Sequence, residues 1–208
     1  MRPQRLHDRG IWTSGPSSAI RLVVARQATT KRFTIELSYV DENVYQKLDL
    51  RLAQQPSETD AYLLTRLLAY CLLSRDDDES TLGFSKGGLT TPEDPAISRV
   101  SLDGRMLVWC EVGSPSIERL HKASKSSPLV VLVTHHEPER MHRELLQATL
   151  FRKEELVVWA IAPGFLAELA GKLGERGGEF SLTISDETLY VEVGGAALST
   201  PLQRVSTS

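Results

Sequence analysis

Cysteine is scarce in this chain: Cys71 and Cys110 are its only two in 208 residues, and both lie inside apolar runs. That excludes the disulfide framework of a small secreted domain and reads as two buried free thiols in a reducing compartment, which makes a cytoplasmic protein the expectation. No apolar run reaches the roughly 20 residues that a membrane-spanning helix needs, so no membrane association is expected. An excess of charge of one sign is also missing. Lys and Arg number 24 against 27 Asp and Glu, a net of -3, so a generic nucleic-acid coat is not indicated, although a local basic patch stays open. Several motifs are absent as well. There is no strand–GxGxxG–helix unit, and the Lys86-Gly87-Gly88 stretch does not match a Walker loop. No nucleophile elbow supports a serine hydrolase. The spacing of His135, His136 and His142 fits no zinc motif.

What is present is ordinary globular material, 41% apolar and 25% charged, enough for one domain with a substantial core. Residues 1–30 differ in character: Arg2, Arg5, Arg9, Arg21 and Arg26 stand against one acid, Asp8. They lack the long apolar core of a secretory signal and are expected to be a poorly ordered extension or the product of an upstream start. Residues 31–193 are expected to form a single domain and 194–208 a loose C-terminal tail.

Period-two alternation from Arg32 to Tyr39 and from Tyr45 to Ala53 predicts two strands joined by the Asp41-Glu42-Asn43 turn. Ser57 is the expected N-cap of a helix over about 58–73, whose Leu63, Leu64, Leu67, Leu68, Cys71 and Leu72 make a core-facing stripe. Asp76 to Glu79 read as a solvated loop, and 83–91 as a lip holding Lys86. Asp103-Gly104 is a strong hairpin signal between strands at about 99–102 and 105–111. Then come a helix at 116–124, a fully apolar strand at 128–134, a helix at 138–149, a strand at 155–161, a helix at 163–173, and a hairpin over 180–193. This order predicts an α/β fold, a mixed central sheet flanked by helices, with additional hairpins at the N- and C-terminal ends.

The stretch from Glu93 to Lys122 carries the chemistry. Trp109 and Glu111 share one face of a strand, with the carboxylate at its C-terminal end. A carboxylate placed there needs water, a base or a metal, because burial alone is costly. Asp94, in the turn before the hairpin, can fold back towards it. Two converging carboxylates suit Mg²⁺ or Mn²⁺, which prefer oxygen ligands. The same residues also read as turn and cap residues, with Glu111 paired to an arginine. Glu58 serves equally as a first-turn acid of its helix or as a site residue, and Arg66 as a phosphate contact or as the partner of an acid.

The segments RFTIELSYVDENVYQKLDLRLAQQPSET, RLLAY, EDPAI, LVWCEVGSP and RLHKAS resemble the YaeQ family of bacterial proteins, over about Lys31 to Val193. That family in turn resembles the PD-(D/E)xK nuclease superfamily, which implies a restriction-endonuclease-like core. Carried over, the resemblance implies catalytic roles for Glu58, Asp94, Glu111 and Lys122. Glu58, Asp94 and Glu111 would hold Mg²⁺ or Mn²⁺, and Arg66, Lys86 and Arg119 would grip substrate phosphates. Gly113 stands where the motif has lysine, so Lys122 becomes the candidate for a migrated lysine. The Glu93-Asp94 order and Ser98 also depart from the family pattern. The implied function is metal-dependent hydrolysis of DNA or RNA phosphodiesters. The alternatives are a nuclease-fold protein that has lost catalysis and binds nucleic acid or a protein partner, and a small-molecule or unrelated phosphoesterase. A monomer is the expected state.

Overall fold

The computed structural model describes residues 28–74, 81–85 and 93–208. Lys86, the expected phosphate contact on the lip, lies outside the described residues, as do residues 1–27.

The elements are β1 (Thr29–Tyr39), β2 (Val44–Gln54), α1 (Asp60–Leu73), β3 (Thr81–Phe84), β4 (Ile97–Val100), β5 (Met106–Val112), α2 (Ile117–Ser126), β6 (Leu129–Thr134), α3 (Pro138–Gln147), β7 (Val157–Ala160), α4 (Pro163–Lys172), β8 (Gly177–Ser185), β9 (Thr188–Val193), β10 (Ala196–Pro201) and β11 (Gln203–Arg204). No helix among the described residues is long and apolar enough to cross a membrane.

The fold is mixed α/β, as expected, but the strands divide into two sheets instead of one. One sheet has the order β10-β9-β8-β1-β2 and the other β11-β7-β6-β5-β4-β3. The terminal hairpins are not appendages of a central sheet. β1 pairs in parallel with β8, Ile35 opposite Phe180 and Leu37 opposite Leu182, so the two hairpins fuse into one sheet. The expected tail over 194–208 instead continues both sheets. Gly194 and Gly195, with φ of 55° and 78°, turn the chain into β10, which pairs antiparallel with β9. Two consecutive positive-φ positions are the requirement of a tight hairpin turn, which glycine meets without strain. β11 then pairs with β7 across the other sheet.

β5, β6 and β7 run parallel to one another, which is why β6 is apolar along its whole length: both of its faces are covered. On one face Val108, Cys110, Val112, Val131 and Val133 pack with α1, α4 and the inner side of the first sheet. On the other, Trp109, Leu132, Val158 and Ala160 pack with α2 and α3 through Leu120, Ala123, Met141 and Leu145. Helices α1 and α4 thus lie between the two sheets, and α2 and α3 cover the far side of the second.

Candidate functional site

The site forms where β5 ends. Period-two alternation sets Glu111 on the α2 side beside Trp109, where the residue is only 4% exposed. The Trp109 indole Nε1 donates to Glu111 Oε1 at 2.5 Å, and the Arg119 Nε approaches the same oxygen at 2.8 Å. Burial pushes the Glu111 carboxyl above the ordinary carboxylate range, and the hydrogen bonds from Arg119 and Trp109 draw it part of the way back.

Arg119 is delivered by α2. Ser116 caps this helix, its hydroxyl accepting from the Arg119 backbone N–H at 3.2 Å. The Arg119 Nη2 donates to the Asp94 carbonyl at 2.5 Å. One guanidinium therefore ties the end of β5 to the turn before β4. Asp94 itself is exposed, while Pro95 behind it is buried. Lys122, about one turn further along α2, is exposed and ion-paired to Glu93 of the same turn. Glu111, Asp94, Arg119 and Lys122 are thus gathered about one edge.

Glu58 belongs to a different cluster. α1 begins at Asp60 with Thr59 as its N-cap, the Thr59 hydroxyl accepting from Tyr62 N–H at 3.1 Å. The cap is Thr59, not the expected Ser57, so Glu58 precedes the helix and turns inward. Its carboxylate meets Arg66 Nη2 at 2.9 Å and accepts from the Gln55 backbone N–H at 3.1 Å. Arg66 also donates to the Ala53 carbonyl at 2.8 Å. Both side chains are buried, so Arg66 serves the acid and is not displayed to solvent. Burial raises the Glu58 carboxyl, against the pull of Arg66.

Tyr62 stands between the two clusters. Burial pushes its phenol up to about 12, and the charges of Arg66, Glu58, Glu111 and Arg119 all act on it. Gly113 has φ of 83°, and a Cβ there would lie 3.2 Å from Tyr62 Cε2 and 4.0 Å from His135 Cε1. The space that a lysine at this position would enter is therefore lined by a tyrosine and a histidine. The Thr65 hydroxyl donates its one proton to the Ala61 carbonyl at 2.7 Å and lies 3.1 Å from His135 Nδ1. It can only accept there, so Nδ1 carries the proton and Nε2 keeps its lone pair. Burial and the neighbouring His136 hold His135 below its ordinary value. The sequence offered no signal for Tyr62 or His135 as neighbours of Gly113, because they come from α1 and from the end of β6. Among the described residues, no group of three or more His, Cys, Asp or Glu converges to hold a metal.

Three comparisons bear on this architecture. A family model described as YaeQ protein matches residues 24–202. The uncharacterized YaeQ protein of Escherichia coli (strain K12) is 27% identical over 169 residues, covering 81% of this chain and 90% of that protein. The corresponding protein of Salmonella typhi is 26% identical over the same span. The crystal structure of YaeQ from Pseudomonas syringae superposes with a TM-score of 0.73 at 26% identity, covering 86% of this chain and 96% of that one. YaeQ from Xanthomonas axonopodis pv. citri gives 0.68 at 27% identity, covering 86% and 97%. The chain belongs to the YaeQ family.

Proposed function

We propose that this protein is a metal-dependent phosphodiesterase acting on DNA or RNA, with a restriction-endonuclease-like core of the PD-(D/E)xK type. The observation that carries the reading is the Arg119 bridge between the Glu111 carboxylate and the Asp94 backbone. It holds the turn that carries Asp94 next to the end of β5 and sets a positive charge beside Glu111. The donor chemistry fits a hard divalent cation, since Glu111 and Asp94 offer only oxygen. Glu58 stands apart from this donor set, engaged with Arg66. A bound Mg²⁺ or Mn²⁺ supplies a water of lowered pKa and polarises the phosphodiester.

The chain's own residues do the rest. Trp109 fixes the rotamer of Glu111 by its indole hydrogen bond. Arg119, released from Glu111, and Lys122, released from Glu93, would supply cations to the backbone phosphates of the substrate. Each exchange replaces one charge-assisted contact with another, so the rearrangement is of low cost. The test is cleavage of DNA and RNA with Mg²⁺ or Mn²⁺ by wild type and Glu111→Ala. Loss of metal-dependent cleavage in the variant is expected, and cleavage at the wild-type rate sinks the assignment.

A second reading has its own support. Glu58, Glu111 and Glu93 are each neutralised by a basic side chain of the protein, the arrangement of a nuclease scaffold that binds nucleic acid or a protein partner without hydrolysis. Nucleic-acid binding that persists with no calorimetric uptake of Mg²⁺ or Mn²⁺, even with substrate present, selects this reading.

A further inference from the structure

The five-stranded sheet ends in β2, whose outer edge pairs with nothing among the described residues. An exposed edge presents a row of unpaired N–H and C=O groups, and proteins blunt such edges by shortness, proline, bulges or charged side chains, lysine above all. The other three edges are blunted by shortness or proline: β3 has 4 residues, β11 has 2, and β10 ends in Pro201. β2 is different. It has 11 residues with neither proline nor glycine, and it pairs with β1 from Val44 to Gln54 without a bulge. Leu48, Leu50 and Leu52 face the core, while Tyr45, Lys47, Asp49 and Arg51 line the exposed face. Tyr45 is 63% exposed.

We propose that β2 is a homodimer interface, in which two copies pair β2 to β2, antiparallel, about a two-fold axis at Leu48. The two five-stranded sheets become one continuous sheet. In this register Lys47 lies opposite Asp49 of the second copy, and Tyr45 lies opposite Arg51 of the second copy. The symmetry repeats both pairs, giving the self-complementarity that an isologous contact requires.

The charges select this register over its neighbours. An axis at Asp49 sets that acid against itself and Lys47 against Arg51. An axis at Lys47 sets the lysine against itself. Directly opposed unlike charges stabilise a cross-strand pair and like charges destabilise it. An aromatic ring opposite a guanidinium is favourable as well. Arg32 of β1 donates to both Asp49 carboxylate oxygens, its Nε to Oδ1 at 2.9 Å and its Nη2 to Oδ2, which orients the carboxylate in the exposed row, where Lys47 of the second copy adds a second cation. The edge thereby satisfies its main-chain groups, and the charged row that deters other strands admits a second copy of this one.

The experiment is molar mass by light scattering and sedimentation over a concentration series, on the full chain. Wild type is expected to show a monomer–dimer equilibrium. Lys47→Glu opposes Glu to Asp49 twice and raises the dimer dissociation constant about ten-fold or more. Asp49→Lys, which opposes Lys to Lys47, weakens the homodimer likewise. An equimolar mixture of the two variants restores a heterodimer, because every opposed pair is then of unlike charge. Oxidised Leu48→Cys yields a disulfide-linked dimer across the axis, with Cys71 and Cys110 buried and unable to compete. Circular dichroism and melting verify that each variant is folded. A wild type that is monomeric at every concentration overturns the proposal. So does a dimer that Lys47→Glu leaves unchanged, or a folded mixture that forms no heterodimer.

Discussion

The Arg119 guanidinium joins Glu111 to Asp94, its Nε 2.8 Å from the Glu111 carboxylate and its Nη2 2.5 Å from the Asp94 carbonyl. A cation of the protein thus occupies the position beside Glu111 that the proposed hydrolysis assigns to a metal. Replacing Arg119 by alanine is therefore the most informative single change. It leaves a buried carboxylate with only the Trp109 indole, and stability is expected to fall by about 1–3 kcal/mol. If the site takes Mg²⁺ or Mn²⁺, calorimetry finds tighter binding in Arg119→Ala, because the competitor has gone, and none in Glu111→Ala. Metal affinity that falls in Arg119→Ala contradicts the view of this arginine as a placeholder.

The Glu58–Arg66 pair is buried on both sides. Truncating one member of such a pair strands the other charge, so Arg66→Ala is expected to lose about 3–5 kcal/mol in urea denaturation. Glu58→Gln with Arg66→Met removes both charges and is expected to lose less. A stable Arg66→Ala with weakened nucleic-acid binding restores the substrate contact that the sequence left open for Arg66.

Burial raises the Glu58 and Glu111 carboxyls above their ordinary value of 4.5. The folded protein then holds these protons more tightly than the unfolded chain. Their contribution to stability is complete below about pH 4.5 and is lost as pH rises through the raised values. The stability difference between wild type and Glu111→Gln is expected to shift towards wild type as pH falls through that window. Chemical denaturation from about pH 4 to pH 8 reads it, and a shift in the opposite direction means that Arg119 outweighs burial.

Gly113 combines a φ of 83° with a Tyr62 ring carbon 3.2 Å from where a Cβ would stand. Gly113→Ala is expected to lose about 1–2 kcal/mol from backbone strain alone, which lowers the melting temperature by about 2–8 °C. Gly113→Lys, which writes the lysine of the motif back into the chain, is expected to be less stable still, because Tyr62 must move. A Gly113→Ala protein as stable as wild type shows that Tyr62 and the loop adjust freely.

Much of this architecture is local and was readable in order along the chain. Alternation placed β1, β2 and β5, and it put Trp109 and Glu111 on one face, because a strand's period is set by its own backbone. The apolar stripe of α1 and the unbroken apolar run of β6 likewise announced one buried face and two. Asp103-Gly104 marked the turn between β4 and β5. Gly194-Gly195 was an equally local signal for β10 that the reading of a tail passed over.

Partners were the other matter. Sequence alone determined that this chain builds a mixed α/β domain of the YaeQ type, carrying a carboxylate at the end of β5 and basic residues on the helix that follows. The tertiary structure decided that β1 joins β8, Ile35 beside Phe180, so that two hairpins become one sheet. It also decided that Glu58 meets Arg66, that Glu111 meets Arg119 and that Lys122 meets Glu93. The physical reason is the range of the interactions. Periodicity and turn chemistry act between neighbours in the chain, whereas a buried charge takes its partner from whatever element the packing brings within reach, and no spacing in the sequence encodes that choice.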